Sequence, residues 1–485
     1  MSRFLLLLIF LAWMSWGAHP GSLLDSPVHV DIVQTTEFLA GYVVLVLITA
    51  YFCRRLAQRV DGLNLNRTLK RFNRLMSQAR LAVLLWFVVG VYFLGWGALV
   101  NGYLAHLGLR PDHFDSPGLV AGCMPAMLAW MALWWAQYPA DIAFREQGLL
   151  AQLDSGLPIH RPPAFLSYFF ANLRLQLLFT VVPVITLIGL RDGLSLALAP
   201  FGLNEQDSVY LQLGISLTTA AVVLLFAPEM LKRLLHTEPM GDSPLRQRLE
   251  SVCRRHNIRY KNILLWRTDH NMGNAAVMGL IAPVRYILMS DLLLETMTDE
   301  QIEAVFAHEV GHIIHRHMLW FGVFFGAMMF ALVGLTEPVG RLLDRWTPAA
   351  QWVSAAGSMA AGLGCLVLFL YLSRKFERQA DVFAARTIQE EQPADINSHV
   401  GEYGATVFSS ALHQVARINC IPLTAWSWCH GSIAHRIDYL KDLSHDPRRT
   451  VKFDRTMSRL YAVLILALCA FGVWAMVTIA GQRGG

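Results

Sequence analysis

Residues 298–317 read Thr-Asp-Glu-Gln-Ile-Glu-Ala-Val-Phe-Ala-His-Glu-Val-Gly-His-Ile-Ile-His-Arg-His, and the rest of the chain is organised around them. They hold His308, Glu309 and His312 in the order H-E-x-x-H. On an α-helix positions i and i+4 share a face, so both imidazoles can grip one metal ion from the same side. Glu309 sits one residue along, where its carboxylate can reach a water at that ion. Two imidazole ligands and an adjacent base are what a zinc hydrolase needs. Thr298 and Gln301 have the spacing of a capping box that starts the helix. Ile302, Val305, Phe306, Val310 and Ile313 recur at helical spacing and predict a buried side. Ala307 and Gly311 leave room for a close neighbour. The plainer reading is a helix whose two histidines are ordinary core or surface residues.

Composition sets the surroundings. Of 485 residues, 55% are hydrophobic and 15% charged, against about a quarter charged in soluble domains. Mean hydropathy is +0.41. The apolar excess must face lipid, so the expected fold is mainly α, a polytopic helical membrane protein. The net charge of +5 is small, and the basic residues cluster beside apolar runs. That reads as a topology signal, with the bilayer and not nucleic acid as partner. Seven scattered cysteines with no C-x-x-C pair argue against a disulfide framework or a Cys-based zinc site. They fit buried packing in a chain whose soluble part lies in a reducing compartment.

The chain divides into an N-terminal multi-span region (1–228), a domain carrying the candidate zinc site (229–456) interrupted by a membrane hairpin (318–372), and a last span with its tail (457–485). Residues 4–17 are a short apolar run after Arg3 that suits a cleaved signal peptide and a first anchor equally. Spans are expected at 36–53, 81–107, 118–138, 174–190 and 208–228. Segment 54–80 carries Arg54, Arg55, Arg59, Arg67, Lys70, Arg71, Arg74 and Arg80 against Asp61, and reads as a cytoplasmic connection. The connection with Arg110, Asp112 and Asp115 falls outside. Segment 139–173, with Pro158, Pro162 and Pro163, reads as a cytoplasmic loop with a short helical piece. Arg191 and Asp192 are expected to end the fourth span, since a charged pair at mid-bilayer is costly. Runs at 318–336 and 352–372 form the hairpin, and a final span covers 459–480. Crossing parity then places 229–317 and 373–456 on the cytoplasmic side. An amphipathic helix is predicted near 243–256, and 274–279 with 285–290 pair as a hairpin across Ile281-Ala282-Pro283.

A hydrolytic zinc takes three protein ligands and keeps a fourth position for water. The third ligand is sought where the hairpin re-enters, in Phe376-Glu-Arg-Gln-Ala-Asp-Val-Phe-Ala-Ala-Arg386. Glu377 and Asp381 are spaced i, i+4 and face one way. Ala380, Ala384 and Ala385 keep that helix slim. The plainer reading is a surface charge pattern.

His308-Glu-Val-Gly-His312 together with Ser373-Arg-Lys-Phe-Glu-Arg-Gln-Ala-Asp381 resembles the membrane zinc endopeptidases that include the CAAX prenyl protease and the HtpX quality-control protease. Asn274-Ala-Ala-Val-Met-Gly279 resembles that family's segment before the zinc helix. His430-Gly-Ser-Ile-Ala-His-Arg-Ile437 resembles its later His-Pro-x-x-x-x-Arg-Ile stretch, with Gly431 in place of proline and hence a looser turn expected. The resemblance covers about 230–445 in ordered blocks. It implies a zincin-like α+β metalloprotease domain holding one Zn2+ through His308, His312 and Glu377. It implies Glu309 as the general base, and Asp381 as holder of a ligand histidine or as proton donor. His430 and Arg436 are candidates to stabilise an oxyanion or to tie the site together. His315 and His317 are read as flanking the helix end, where cations suit the dipole, and not as ligands. The implied substrate is a peptide or protein at the membrane, either a lipidated C-terminal peptide or a damaged membrane protein. Residues 274–279 can bind it as an edge strand.

Two other readings compete. A site-2 type intramembrane protease takes its third ligand from an Asp on a later membrane segment, and no Asp lies in the spans after His312. A transporter or scaffold with a structural metal needs a closed site, normally with four ligands and usually with Cys.

Overall fold

The computed structural model describes residues 2–18, 32–61, 64–109, 115–150, 161–201, 209–328, 349–389 and 399–483. It forms two compact units: Met1–Glu238 with Leu265–Gly273 and Ser290–Thr296, and Pro239–Leu264 with Asn274–Met289 and Met297–Gly485. The division 1–228, 229–456 and 457–485 follows membrane segments, whereas these units follow packing.

The first unit contains α1 (Ser2–Ala18), α2 (Ile32–Ala57), α3 (Leu65–Tyr92), α4 (Trp96–His106), α5 (Asp115–Leu150), α6 (Phe165–Asn172), α7 (Phe179–Leu198) and α8 (Val209–Leu234). A π-helical turn at Leu173–Leu178 joins α6 to α7 without a break. Among the described residues, five stretches are long and apolar enough to cross a membrane: 32–57, 67–92, 115–149, 165–201 and 214–234. Phe38, Phe87, Trp130 and Trp134 fill the centre. The indole N–H groups of Trp86 and Trp96 find backbone carbonyls on neighbouring helices, Phe38 O at 2.9 Å and Gly122 O at 2.8 Å, which removes the cost of burying these two.

Four expectations change here. The arginine-rich 54–80 segment is not a connection throughout, because α3 already begins at Leu65. Leu69, Phe72, Met76 and Ala79 recur at helical spacing and are buried, while Arg67, Lys70, Arg71 and Arg74 point outward. The run expected at 81–107 breaks instead at Gly95, whose φ of 73° separates α3 from α4. Helix α5 runs past 138 to Leu150 with Pro139 inside it. Helix α7 continues through Arg191 and Asp192. Asp192 is buried and accepts from Ser116 N at 2.9 Å and Ser116 Oγ at 2.6 Å, and Arg191 pairs with Asp115 at 3.1 Å. Arg110, Asp112 and Pro158 lie outside the described residues.

A four-stranded sheet in the order β1-β2-β4-β3 comprises β1 (Thr237–Pro239), β2 (Asn262–Trp266), β3 (Ala275–Met278) and β4 (Tyr286–Ser290). β3 and β4 form the expected antiparallel hairpin, with Ala275 opposite Met289 and Met278 opposite Tyr286. β3 is an edge: among the described residues it pairs with β4 alone.

The helices that follow are α9 (Pro244–Arg255), α10 (Asp291–Thr296), α11 (Asp299–Ile314), α12 (His317–Met328), α13 (Ala349–Gln389), α14 (Glu402–Ile418), α15 (Ile433–His445) and α16 (Pro447–Arg483). Helix α9 starts where Ser243 accepts from Arg246 N, with proline at its first position, and buries Leu249, Val252 and Cys253. Arg248 and Arg255 reach Glu303 at 3.2 and 3.0 Å, tying α9 to α11. The first arm of the hairpin is described to Met328, and its tip lies outside the described residues. Its second arm is the start of α13, one helix of 41 residues that includes 376–386. All seven cysteines are free.

Candidate metal centre

Helix α11 begins as its sequence dictates. Thr298 accepts from Gln301 N, and the Gln301 side chain accepts from Thr298 N, a complete capping box. Ile302, Val305, Phe306 and Val310 are buried as predicted. Its small residues let α13 come close: a Cβ on Gly311 would stand 3.1 Å from Ala380 Cα and 3.1 Å from Phe383 Cδ1. Ala307, Ala380 and Ala384 are fully buried. At that separation the two i, i+4 pairs meet, His308 and His312 from α11 with Glu377 and Asp381 from α13.

His308, His312 and Glu377 offer ligand atoms that all lie within 4.8 Å of one another. His308 Nε2 is 3.3 Å from His312 Nε2 and 3.7 Å from Glu377 Oε2, and His312 Nε2 is 3.8 Å from Glu377 Oε1. A tetrahedral zinc with ligands at about 2.0–2.1 Å separates them by about 3.3–3.4 Å. The donor set and its spacing therefore fit a single Zn2+.

The neighbours hold these donors in place. Asp381 is 1% exposed; its Oδ1 lies 2.9 Å from His308 Nδ1. Arg436, from α15, donates to both Asp381 oxygens, Nε to Oδ2 at 2.8 Å and Nη2 to Oδ1 at 2.5 Å. His430 Nδ1 lies 2.9 Å from Glu377 Oε2. Phe408 of α14 stacks on the His308 ring at 5.7 Å. Glu309 accepts a hydrogen bond from the Val277 backbone N–H on β3. Every site residue singled out in the sequence is thus brought to one place.

Electrostatics follow from burial and these partners. Burial pushes the His312 imidazole down to about 4, with His308 adding to the effect, so it is a neutral donor at neutral pH. Burial raises the Glu309 carboxyl, opposed by His308 and by the Val277 N–H. Burial would raise Glu377 and Asp381 too. Instead His430 and the two imidazoles hold Glu377 well below the usual range, and Arg436 with His308 holds Asp381 below its own.

Two details depart from expectation. Gly431 does not loosen its turn. Its φ is 75°, which proline's ring forbids, and the Ser427–Gly431 bridge closes the loop with hydrogen bonds of 2.8 and 3.1 Å. His315 caps the end of α11 as expected, but His317 is buried against His312. The Val277 contact and the His317 burial had no local pattern to announce them. They depend on elements that meet only in the fold.

Residues 239–444 match the profile of Peptidase family M48. A protease HtpX homolog of Bordetella petrii is 26% identical over 208 residues, which is 40% of this chain and 70% of that protein. Protease HtpX of Pseudoalteromonas atlantica is 28% identical over 206 residues, 38% of this chain and 70% of that protein. The crystal structure of S. mikatae Ste24p superposes with a TM-score of 0.48 at 14% identity, over 85% of this chain and all of that one.

Replacing Asp381 by Ala leaves the Arg436 guanidinium without its bidentate partner. Asp381→Ala is expected to destabilise the chain by about 3–5 kcal/mol, read as a lowered melting temperature in detergent. Asp381→Asn, which keeps one acceptor, is expected to lose less.

Proposed function

We propose, for a chain whose residues 239–444 match Peptidase family M48, that one Zn2+ held by His308, His312 and Glu377 serves to hydrolyse peptide bonds of proteins at the membrane. The observation that carries this reading is the donor triangle with Glu309 beside it. When bound, the ion supplies Lewis acidity, polarising the scissile carbonyl and acidifying water at the site.

The chain's own groups do the rest. Glu309 is the general base: its carboxylate oxygen takes a proton from the attacking water and passes it to the leaving amine. A carboxyl raised by burial is suited to both transfers. Asp381 holds His308 through Nδ1 and turns Nε2 into the triangle. Held ionised by Arg436, it orients the ligand and does not serve as the proton donor. Arg436 is taken up by Asp381 and ties α15 to α13. His430, whose side chain is 57% exposed, is the member of that pair able to meet an oxyanion.

The open edge of β3 suits an extended peptide. Backbone groups alternate sides along a strand. Val277 turns its N–H to Glu309, so Ala275 faces the open edge with it, while Ala276 and Met278 face β4. Ala275 is therefore the donor available to a substrate backbone. A peptide lying there runs past the triangle.

The catalytic unit is assigned to the cytoplasmic side. Arg54, Arg55 and Arg59 lie at the end of α2 and just after it, where positive charge marks the inner face. Four of the five candidate spans separate them from residue 239, an even number of crossings.

Three outcomes are expected. Glu309→Gln keeps its full zinc content but loses roughly 10²–10⁴-fold in peptide cleavage; normal turnover by this variant overturns the mechanism. Ala275→Pro leaves zinc content and the β4 ladder intact and lowers kcat/KM on the order of tenfold, the worth of one good hydrogen bond. Asp242→Cys, on an exposed loop, reacts with an impermeant maleimide in inside-out but not right-side-out vesicles, with the parent chain as background.

A further inference from the structure

His317 has no part in the reaction above, yet it is 1% exposed and touches a candidate ligand. Its Nδ1 lies 2.9 Å from His312 Nδ1, the ring nitrogen that does not face the donor triangle. Its Nε2 lies 3.0 Å from Gln379 Oε1, and the Tyr461 hydroxyl donates to that same oxygen at 2.6 Å. Phe376 stacks on the His317 ring with centroids 4.2 Å apart and planes 6° from parallel, which keeps the ring in this orientation.

The direction of every bond in this chain follows from its far end. A carboxamide oxygen only accepts, so His317 Nε2 carries the hydrogen. A neutral imidazole protonated at Nε2 has a bare Nδ1. The hydrogen between the two Nδ1 atoms therefore belongs to His312, and His312 Nε2 keeps its lone pair. His308 is set in the same tautomer by Asp381, whose Oδ1 faces its Nδ1 at 2.9 Å. The two Nε2 lone pairs then converge at 3.3 Å, an arrangement that calls for a cation between them.

We propose that His317 is a positioning residue through which Gln379 and Tyr461 set His312 in the Nδ1–H tautomer that presents Nε2 to the metal. This rests on His312 being a ligand. It makes the two imidazoles unequal: His308 is backed by a carboxylate, and His312 by a neutral chain that ends on α16. Partners of this kind act on affinity by fixing the ring and the proton, without touching the ion.

The test is zinc affinity of the purified full-length chain in detergent, by chelator competition, alongside the melting temperature of the metal-free protein. His317→Phe keeps a ring stacked on Phe376 and has no acceptor. Its zinc affinity is expected to fall roughly 10–100-fold, with the metal-free melting temperature unchanged. His317→Asn is expected to recover most of that loss, since its carbonyl accepts from His312 and its amide donates to Gln379. Gln379→Glu, which also only accepts, is expected to bind zinc about tenfold more tightly than Gln379→Leu. Equal affinity in the parent and His317→Phe overturns the proposal, as does equal affinity in the two Gln379 variants. The Gln379 pair decides the matter if His317→Phe does not fold. A parent chain that binds no zinc overturns the assignment of His312 as a ligand, and this proposal with it.

Discussion

The site depends on how closely α11 approaches α13. With Gly311 lying against Ala380, the helix backbones approach far enough for short side chains on each to share one small volume. An imidazole and a carboxylate have little reach, so any added bulk at this contact would widen the 3.3–3.8 Å spacings of the donor triangle. Interiors packed to this density do not absorb an extra methyl group without moving something. The contact between α11 and α13 is therefore the one that sets the spacing of the donor triangle.

Charge explains why the arrangement wants a cation. Glu309, Glu377 and Asp381 bring three carboxyl groups into one buried region, and Arg436 answers Asp381 with two hydrogen bonds. The imidazole of His312 is kept neutral by burial. A divalent ion in the triangle offsets the remaining negative charge at the point where three donors converge. Unpaired buried carboxylates are otherwise costly.

The site is also joined mechanically to the hydrophobic part of the chain. Helix α13 runs unbroken from Ala349 to Gln389, about 60 Å at the α-helical rise. It carries Glu377, Gln379 and Asp381 on the same rod as its apolar first half. Helix α16 likewise carries Tyr461 in its apolar stretch, and Tyr461 reaches Gln379. Tilting either rod would move a donor or its supporting partner.

Much of the site was legible because it is written in short-range geometry. The capping box at Thr298, the pairs His308/His312 and Glu377/Asp381, and the hairpin of Ala275–Met278 with Tyr286–Ser290 all follow from helix and strand periods. The same reasoning misread 54–80, because arginine density resembles a connection even where Leu69, Phe72 and Met76 mark a buried helix face. It also took the Arg191-Asp192 pair as a terminus, since a buried Asp is acceptable only with a partner, and that partner, Ser116, lies 76 residues away. The sequence by itself determined the candidate ligands, the candidate base and the membrane class, since each needs only residue type and local spacing. Only the tertiary structure placed Asp381 between His308 and Arg436, and buried His317 between His312 and Gln379. Those contacts join residues 55 and 62 apart in the chain, and no local period encodes them.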